Sequence, residues 1–189
     1  MKKNIFYLVI LFTFFMCYLF FSSTDEKYIL PNNYKGFFTI FYKDIDDVPE
    51  IIDKNRKFYI DENGICISEK RYSLGSVNSK FYFKDNNPIK KLDVTTLSYA
   101  TEMEVLNLKK SNELFVVEIL GFSMNKEQEL DKQSIHIFFI GSGNEIYQLY
   151  KNIEYIYFYI TGKKWSVEKN DLIKLNNEIN NEFIAIKKL

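Results

Sequence analysis

The chain has 189 residues, enough for one domain with its own hydrophobic core and too few for two. Its formal charge is zero, and setting Lys2 and Lys3 aside leaves 23 basic against 25 acidic groups, a balance of −2. That balance excludes the broadly basic footprint of a nucleic-acid binder, and no polybasic run offers itself to anionic lipid.

The first element is an apolar leader. Lys2 and Lys3 precede an uncharged, mostly apolar run from Ile5 to Phe21, and Ser22, Ser23 and Thr24 extend it. About 20 residues of helix span roughly 30 Å, enough to cross a bilayer. The two lysines place the N-terminus in the cytoplasm and the remainder outside it. Residues 1–24 therefore read as a signal peptide or a membrane anchor. Residues 25–189 read as a single exported domain, membrane-anchored facing outside the cytoplasm, or secreted after cleavage. Lipidation at Cys17 is disfavoured, because Phe14, Phe15 and Met16 replace the small residues such a site requires. Past the leader Cys66 stands alone, so no internal disulfide is open to the exported part. Its setting, Gly64-Ile65-Cys66-Ile67-Ser68, is that of a small strand residue.

The segment YILPNNYKGFFTIFYK follows at 28–43. Pro31 biases Leu30 toward an extended backbone, Asn32-Asn33 can turn the chain, and Gly36 frees it before the aromatic strand FFTIFYK. DIDDVPEIIDKN is an acidic loop. In KFYIDENGICISE, Lys57–Asp61 and Ile65–Glu69 are strand-like around Asn63-Gly64, a pair suited to a tight hairpin. Another strand, SKFYFKD, ends at Asn86-Asn87-Pro88. Periodicity leaves residues 89–112 undecided between helix and strand. Leu114–Leu120 and Ile135–Ile140 are buried strands. Ser142 and Glu145 fit a capping box for a helix through EIYQLYKN, and IEYIYFYITG behind it is strand-like in composition. Leu172, Leu175, Ile179 and Phe183 recur at helical spacing on one amphipathic face. The expected fold is α+β: a mainly antiparallel sheet with one or two C-terminal helices.

Chemistry-bearing patterns are few. His136 is the one histidine, mid-strand between Ile135 and Ile137, without a nucleophile elbow elsewhere. One histidine and one exported cysteine do not make an ordinary zinc site. Asp44, Asp46, Asp47 and Glu50 imitate a calcium loop, but Pro49 and Asn55 stand where that loop needs Gly and Glu. Gly141-Ser142-Gly143 lacks the lysine and the third glycine of a phosphate cradle, so capping is the better account. The aromatics fall on strands, which points to core packing. No residue is nominated as catalytic, none as a metal ligand, and no cofactor is expected.

Tyr28-Ile29-Leu30-Pro31-x-x-Tyr34-x-Gly36 before an aromatic strand resembles a bacterial exported family catalogued as domain of unknown function 6843. The resemblance continues through Lys57–Ile60 and the turn after it, and includes Phe138–Ser142. It implies a leader-bearing envelope protein and no particular reaction. Tyr28, Leu30, Pro31, Tyr34 and Gly36 are then structural residues. The expected role is structural or binding, with the membrane engaged through residues 5–21 and a protein or polymer partner. The alternative is a carboxylate-dependent hydrolase acting on an envelope polymer.

Overall fold

The computed structural model describes residues 24–42, 55–69, 77–91, 96–125, 132–163 and 168–188. The leader with Cys17, and the acidic segment from Asp44 to Glu50, lie outside them. Eight strands are described: β1 (Thr24–Leu30), β2 (Gly36–Tyr42), β3 (Asn55–Tyr59), β4 (Ile65–Ser68), β5 (Val77–Phe83), β6 (Pro88–Lys91), β7 (Leu114–Asn125) and β8 (Lys132–Ser142). Four helices accompany them: α1 (Glu102–Leu108), α2 (Gly143–Lys151), α3 (Ile153–Thr161) and α4 (Lys169–Ile186).

The strands form one sheet in the order β3-β1-β5-β6-β7-β8-β2-β4. Four neighbouring pairs are parallel and three antiparallel, so the sheet is mixed and not mainly antiparallel as expected. The reason lies in the turn at residues 60–64. Its local chemistry is that of a hairpin, and Gly64 adopts φ +76°. Yet β3 pairs with β1 and β4 with β2, at opposite edges of the sheet. The turn instead ties those edges together: Ile60 N–H donates to Ile29 O (2.9 Å), Asp61 N–H to Ile65 O (3.0 Å) and Thr39 N–H to Gly64 O (2.8 Å). The sheet thereby curls into a nearly closed barrel.

Strand alternation divides the side chains between two cores. Tyr28, Leu30, Phe38, Ile40, Tyr42, Phe58, Ile60, Cys66, Phe81, Ile89, Val116, Phe138 and Ile140 fill the barrel interior. Rings supply much of that volume: Tyr28 lies flat between Phe58 (5.0 Å) and Phe81 (4.7 Å), and Phe38 stacks on Phe138 (5.2 Å). The outward residues of β2, β7 and β8, among them Phe37, Phe41, Phe115, Val117, Ile135, Ile137 and Phe139, pack with the helices in the second core.

The helical part is larger than expected. Residues 153–161 are α3, although their composition is that of a strand. Ile156 and Ile160 are buried at helical spacing, while Tyr155, Tyr157 and Phe158 stay exposed. Tertiary packing of one face overrides β propensity here. The undecided stretch 89–112 resolves into β6, a 3₁₀ turn at Leu97–Tyr99 and α1. Thr101 and Glu104 form a full capping box at the start of α1, an S/T-x-x-E pattern visible in the sequence but unused there.

Candidate functional site

Polar groups collect inside the barrel at the end where β1, β3 and β5 begin. Glu26, Arg56, Ser68, Ser134 and His136 are all buried there on lumen-facing strand positions, next to Tyr28 and Tyr42. Each arrives by the alternation that also brings an apolar neighbour inward: Glu26 with Tyr28 and Leu30, Arg56 with Phe58 and Ile60, His136 with Phe138 and Ile140.

Their charges are engaged with one another. Arg56 Nη1 donates to Glu26 Oε1 at 3.1 Å, and Tyr28 O–H donates to Glu26 Oε2, so both carboxylate oxygens hold a partner. Tyr28 and Tyr42 hydroxyls meet at 3.4 Å. The Arg56 guanidinium also lies 5.2 Å from the Phe58 ring centroid. Burial pushes the phenols of Tyr28 and Tyr42 far above the usual tyrosine range, and the Glu26 carboxylate beside them pushes the same way. Both tyrosines stay protonated as hydrogen-bond donors.

Across the lumen end, His136 Nδ1 and Glu118 Oε1 are 2.8 Å apart, and the Tyr42 ring stands edge-on to the imidazole at 5.6 Å. A β-bulge between Glu118 and Leu120 makes this pair possible. Past the bulge Gly121 lies opposite His136, and a Cβ there would sit 2.8 Å from His136 Cε1 and 3.1 Å from Glu118 Oε1. The missing side chain gives the imidazole its room. Among the described residues, no three His, Cys, Asp or Glu side chains are grouped to hold a metal ion.

The residues singled out in the sequence fall into different places. Tyr28 and Leu30 line the lumen, Tyr28 touching the polar cluster directly. Pro31, Tyr34 and Gly36 lie at the opposite end of the barrel. There Pro31 O accepts from Tyr34 N–H (3.1 Å), and Asn33 takes φ +61° to complete the turn. Tyr34 O–H donates to Phe37 O, and burial pushes its phenol up to about 12. Gly36 has φ +111°, and a Cβ on it would lie 2.3 Å from Asn180 Oδ1. The close approach lets Asn180 Oδ1 accept from Phe37 N–H (2.8 Å), while Asn176 Nδ2 donates to Phe37 O (3.0 Å) and Asn63 O (2.9 Å). This half of the motif therefore locks β2 and the 60–64 turn to α4.

Ser142 and Glu145 cap α2 at that same end. Ser142 Oγ accepts from Glu145 N–H and Glu145 Oε2 accepts from Ser142 N–H (3.0 Å). Burial pushes the Glu145 carboxyl up, but the Ser142 N–H and the Lys187 ammonium (2.9 Å) outweigh it and hold it below the usual range. Cys66 is buried in the lumen, and burial pushes its thiol up to about 11, away from reactivity at neutral pH.

The sequence reading missed Glu26, Arg56 and Glu118. Glu26 sits in the charged run TDEK directly after the leader, which reads as a linker and not as the opening strand. Parity was the available signal: Glu26-x-Tyr28-x-Leu30 alternates just as Arg56-x-Phe58-x-Ile60 does.

No curated protein matches the chain. Among solved structures, one described as "Putative Lipoprotein from Bacillus anthracis" is 11% identical, covering 88% of this chain and 96% of its own, with a TM-score of 0.40. Likeness at that level does not establish a shared fold. The profile of a family described as "Family of unknown function (DUF6843)" matches residues 22–114, from the start of β1 to the start of β7. The opening motif lies inside that match, so the resemblance first seen from Tyr28 to Gly36 extends over residues 22–114, which are similar to this family of unknown function.

Proposed function

We propose that this is an exported protein of the cell envelope, anchored by residues 5–21 or released after cleavage, whose barrel has a structural or binding role. The leader supports the location. Among the described residues no helix is long and apolar enough to cross a membrane. One observation supports a non-catalytic role above the rest. The buried carboxylate best placed for chemistry, Glu26, has both oxygens committed to Arg56 and Tyr28 inside an aromatic-filled lumen. A hydrolytic pair needs one carboxylate poised for a proton and the other facing substrate or water.

Cell fractionation with mass measurement of the mature chain tests the location. The proposal expects the protein in the membrane fraction with its N-terminus intact, or outside the cytoplasm with a mass beginning near residue 25. An intact chain in the cytoplasmic fraction would overturn it.

A further inference from the structure

The described helices cover the outer faces of β2, β7 and β8, and among the described residues no helix packs on the outer faces of β1, β3 and β5. Register aligns lysines across these three strands and β6. Lys27 of β1 pairs with Lys57 of β3 on one side and with Lys80 of β5 on the other. The antiparallel register Phe81↔Ile89 then places Lys90 of β6 opposite Lys80. All four project outward, because their neighbours Glu26, Tyr28, Arg56, Phe58, Phe81 and Ile89 project inward. At 4.7–4.9 Å between strands, the row runs about 14 Å across the sheet.

Like charges directly opposite one another destabilise a sheet, so four lysines abreast need a compensating partner. Asp25 supplies a little, at 3.7 Å from Lys80. Lys27 and Lys57 have no carboxylate partner among the described residues, and Lys90 has the Phe115 ring at 5.6 Å. The adjacent row on the same face is Tyr59, Ile29 and Tyr82, with Tyr59 63% exposed. A cationic row beside an aromatic-aliphatic row fits a chain that carries anionic groups at intervals and a less polar backbone between them. The overall balance of −2 hid this feature, since the fold gathers the lysines that the sequence scatters.

We infer that the Lys57–Lys27–Lys80–Lys90 row is a docking face for a linear, phosphate-bearing polymer. Lysine is a point-charge donor suited to phosphate oxygens. The line of charges matches an extended polymer and not a lipid plane. The inference rests on the proposed envelope location only for where such a polymer would be met, and the fractionation above tests that location separately.

Chemical footprinting tests the face on the full chain in uncharged detergent micelles, with long-chain inorganic polyphosphate as the probe. Lysine acetylation is read residue by residue by mass spectrometry. Acetylation of Lys27, Lys57 and Lys90 is expected to slow at least several-fold with polyphosphate, and Lys174 on α4 to be unchanged. Raising the salt should remove the protection, because counterion release drives such contacts. In the Lys27→Gln, Lys57→Gln double variant, most of the protection of Lys90 should be lost. Equal protection of Lys174, or no protection of the row, overturns the inference. So does protection by micelles doped with phosphatidylglycerol in place of the polymer, which would assign the face to lipid.

Discussion

Tyr28, Tyr34, Tyr42 and Cys66 share one property: each is withdrawn from solvent, Tyr34 in part, with its proton retained. Burial raises Cys66 from 9.0 to about 11 and Tyr34 from 10.0 to about 12, and it raises Tyr28 and Tyr42 further still. The unfolded chain loses these protons first, so it binds fewer than the folded chain at high pH, and stability falls as pH rises. Their contribution is whole below pH 9.0. It erodes first through Cys66, then from pH 10.0 upward through the tyrosines. Each proton adds about 1.4 kcal/mol per pH unit to the slope. Denaturant midpoints should therefore drop steeply above about pH 10, with a late step of tyrosinate absorbance, beyond that of exposed tyrosines such as Tyr59 and Tyr157, appearing together with unfolding. Complete tyrosinate formation ahead of unfolding, with no late step, would contradict the burial of Tyr28 and Tyr42. Gly36 belongs to the same scale. Its φ of +111° and the Asn180 oxygen where a Cβ would stand explain the residue twice over.

At the scale of elements, local chemistry and tertiary context contributed unequally. The aromatic strand after Gly36, the strands around Phe81 and Ile135–Ile140, the Ser142 cap and the apolar stripe of α4 were legible because short-range pattern decides them. Strand partners were not legible. The Asn63-Gly64 turn looks the same whether its flanks pair with each other or diverge to two edges. Choosing between these requires β1, whose charged sequence concealed it. Helix α3 was hidden for the opposite reason, since its β-branched and aromatic content misstates its conformation until α4 is there to bury Ile156 and Ile160. The α2 cap offers a direct test. Ser142→Ala should cost about 1 kcal/mol, as N-cap truncations do. Glu145→Gln should lower the denaturant midpoint at neutral pH. That deficit should fade as pH falls through the depressed Glu145 value, because a carboxyl with a lowered folded pKa stabilises only while ionised. A deficit that is independent of pH would mean that Lys187 and the Ser142 N–H do not act on its charge.

The whole molecule is a nearly closed barrel whose edges are tied by one turn, filled with rings and lined at one end by charges that satisfy each other. Its candidate site could be found only once the fold was known, because Glu26, Arg56, Glu118 and His136 come from four strands far apart in sequence. On this account the buried charges are structural, and stability is the property that distinguishes them from a catalytic set. Removing one partner of a buried ion pair strands the other and costs about 3–5 kcal/mol, whereas replacing both with apolar residues of similar volume is close to neutral. Catalytic charges behave differently, since relieving them tends to stabilise a protein at the expense of activity. The most direct measurement is a denaturation cycle on Glu26→Leu, Arg56→Met and the two combined. The predicted result is a large loss of stability for each single variant and recovery of most of it in the double. Unchanged or raised stability in Glu26→Leu would contradict the structural reading and return Glu26 to consideration as a reacting group.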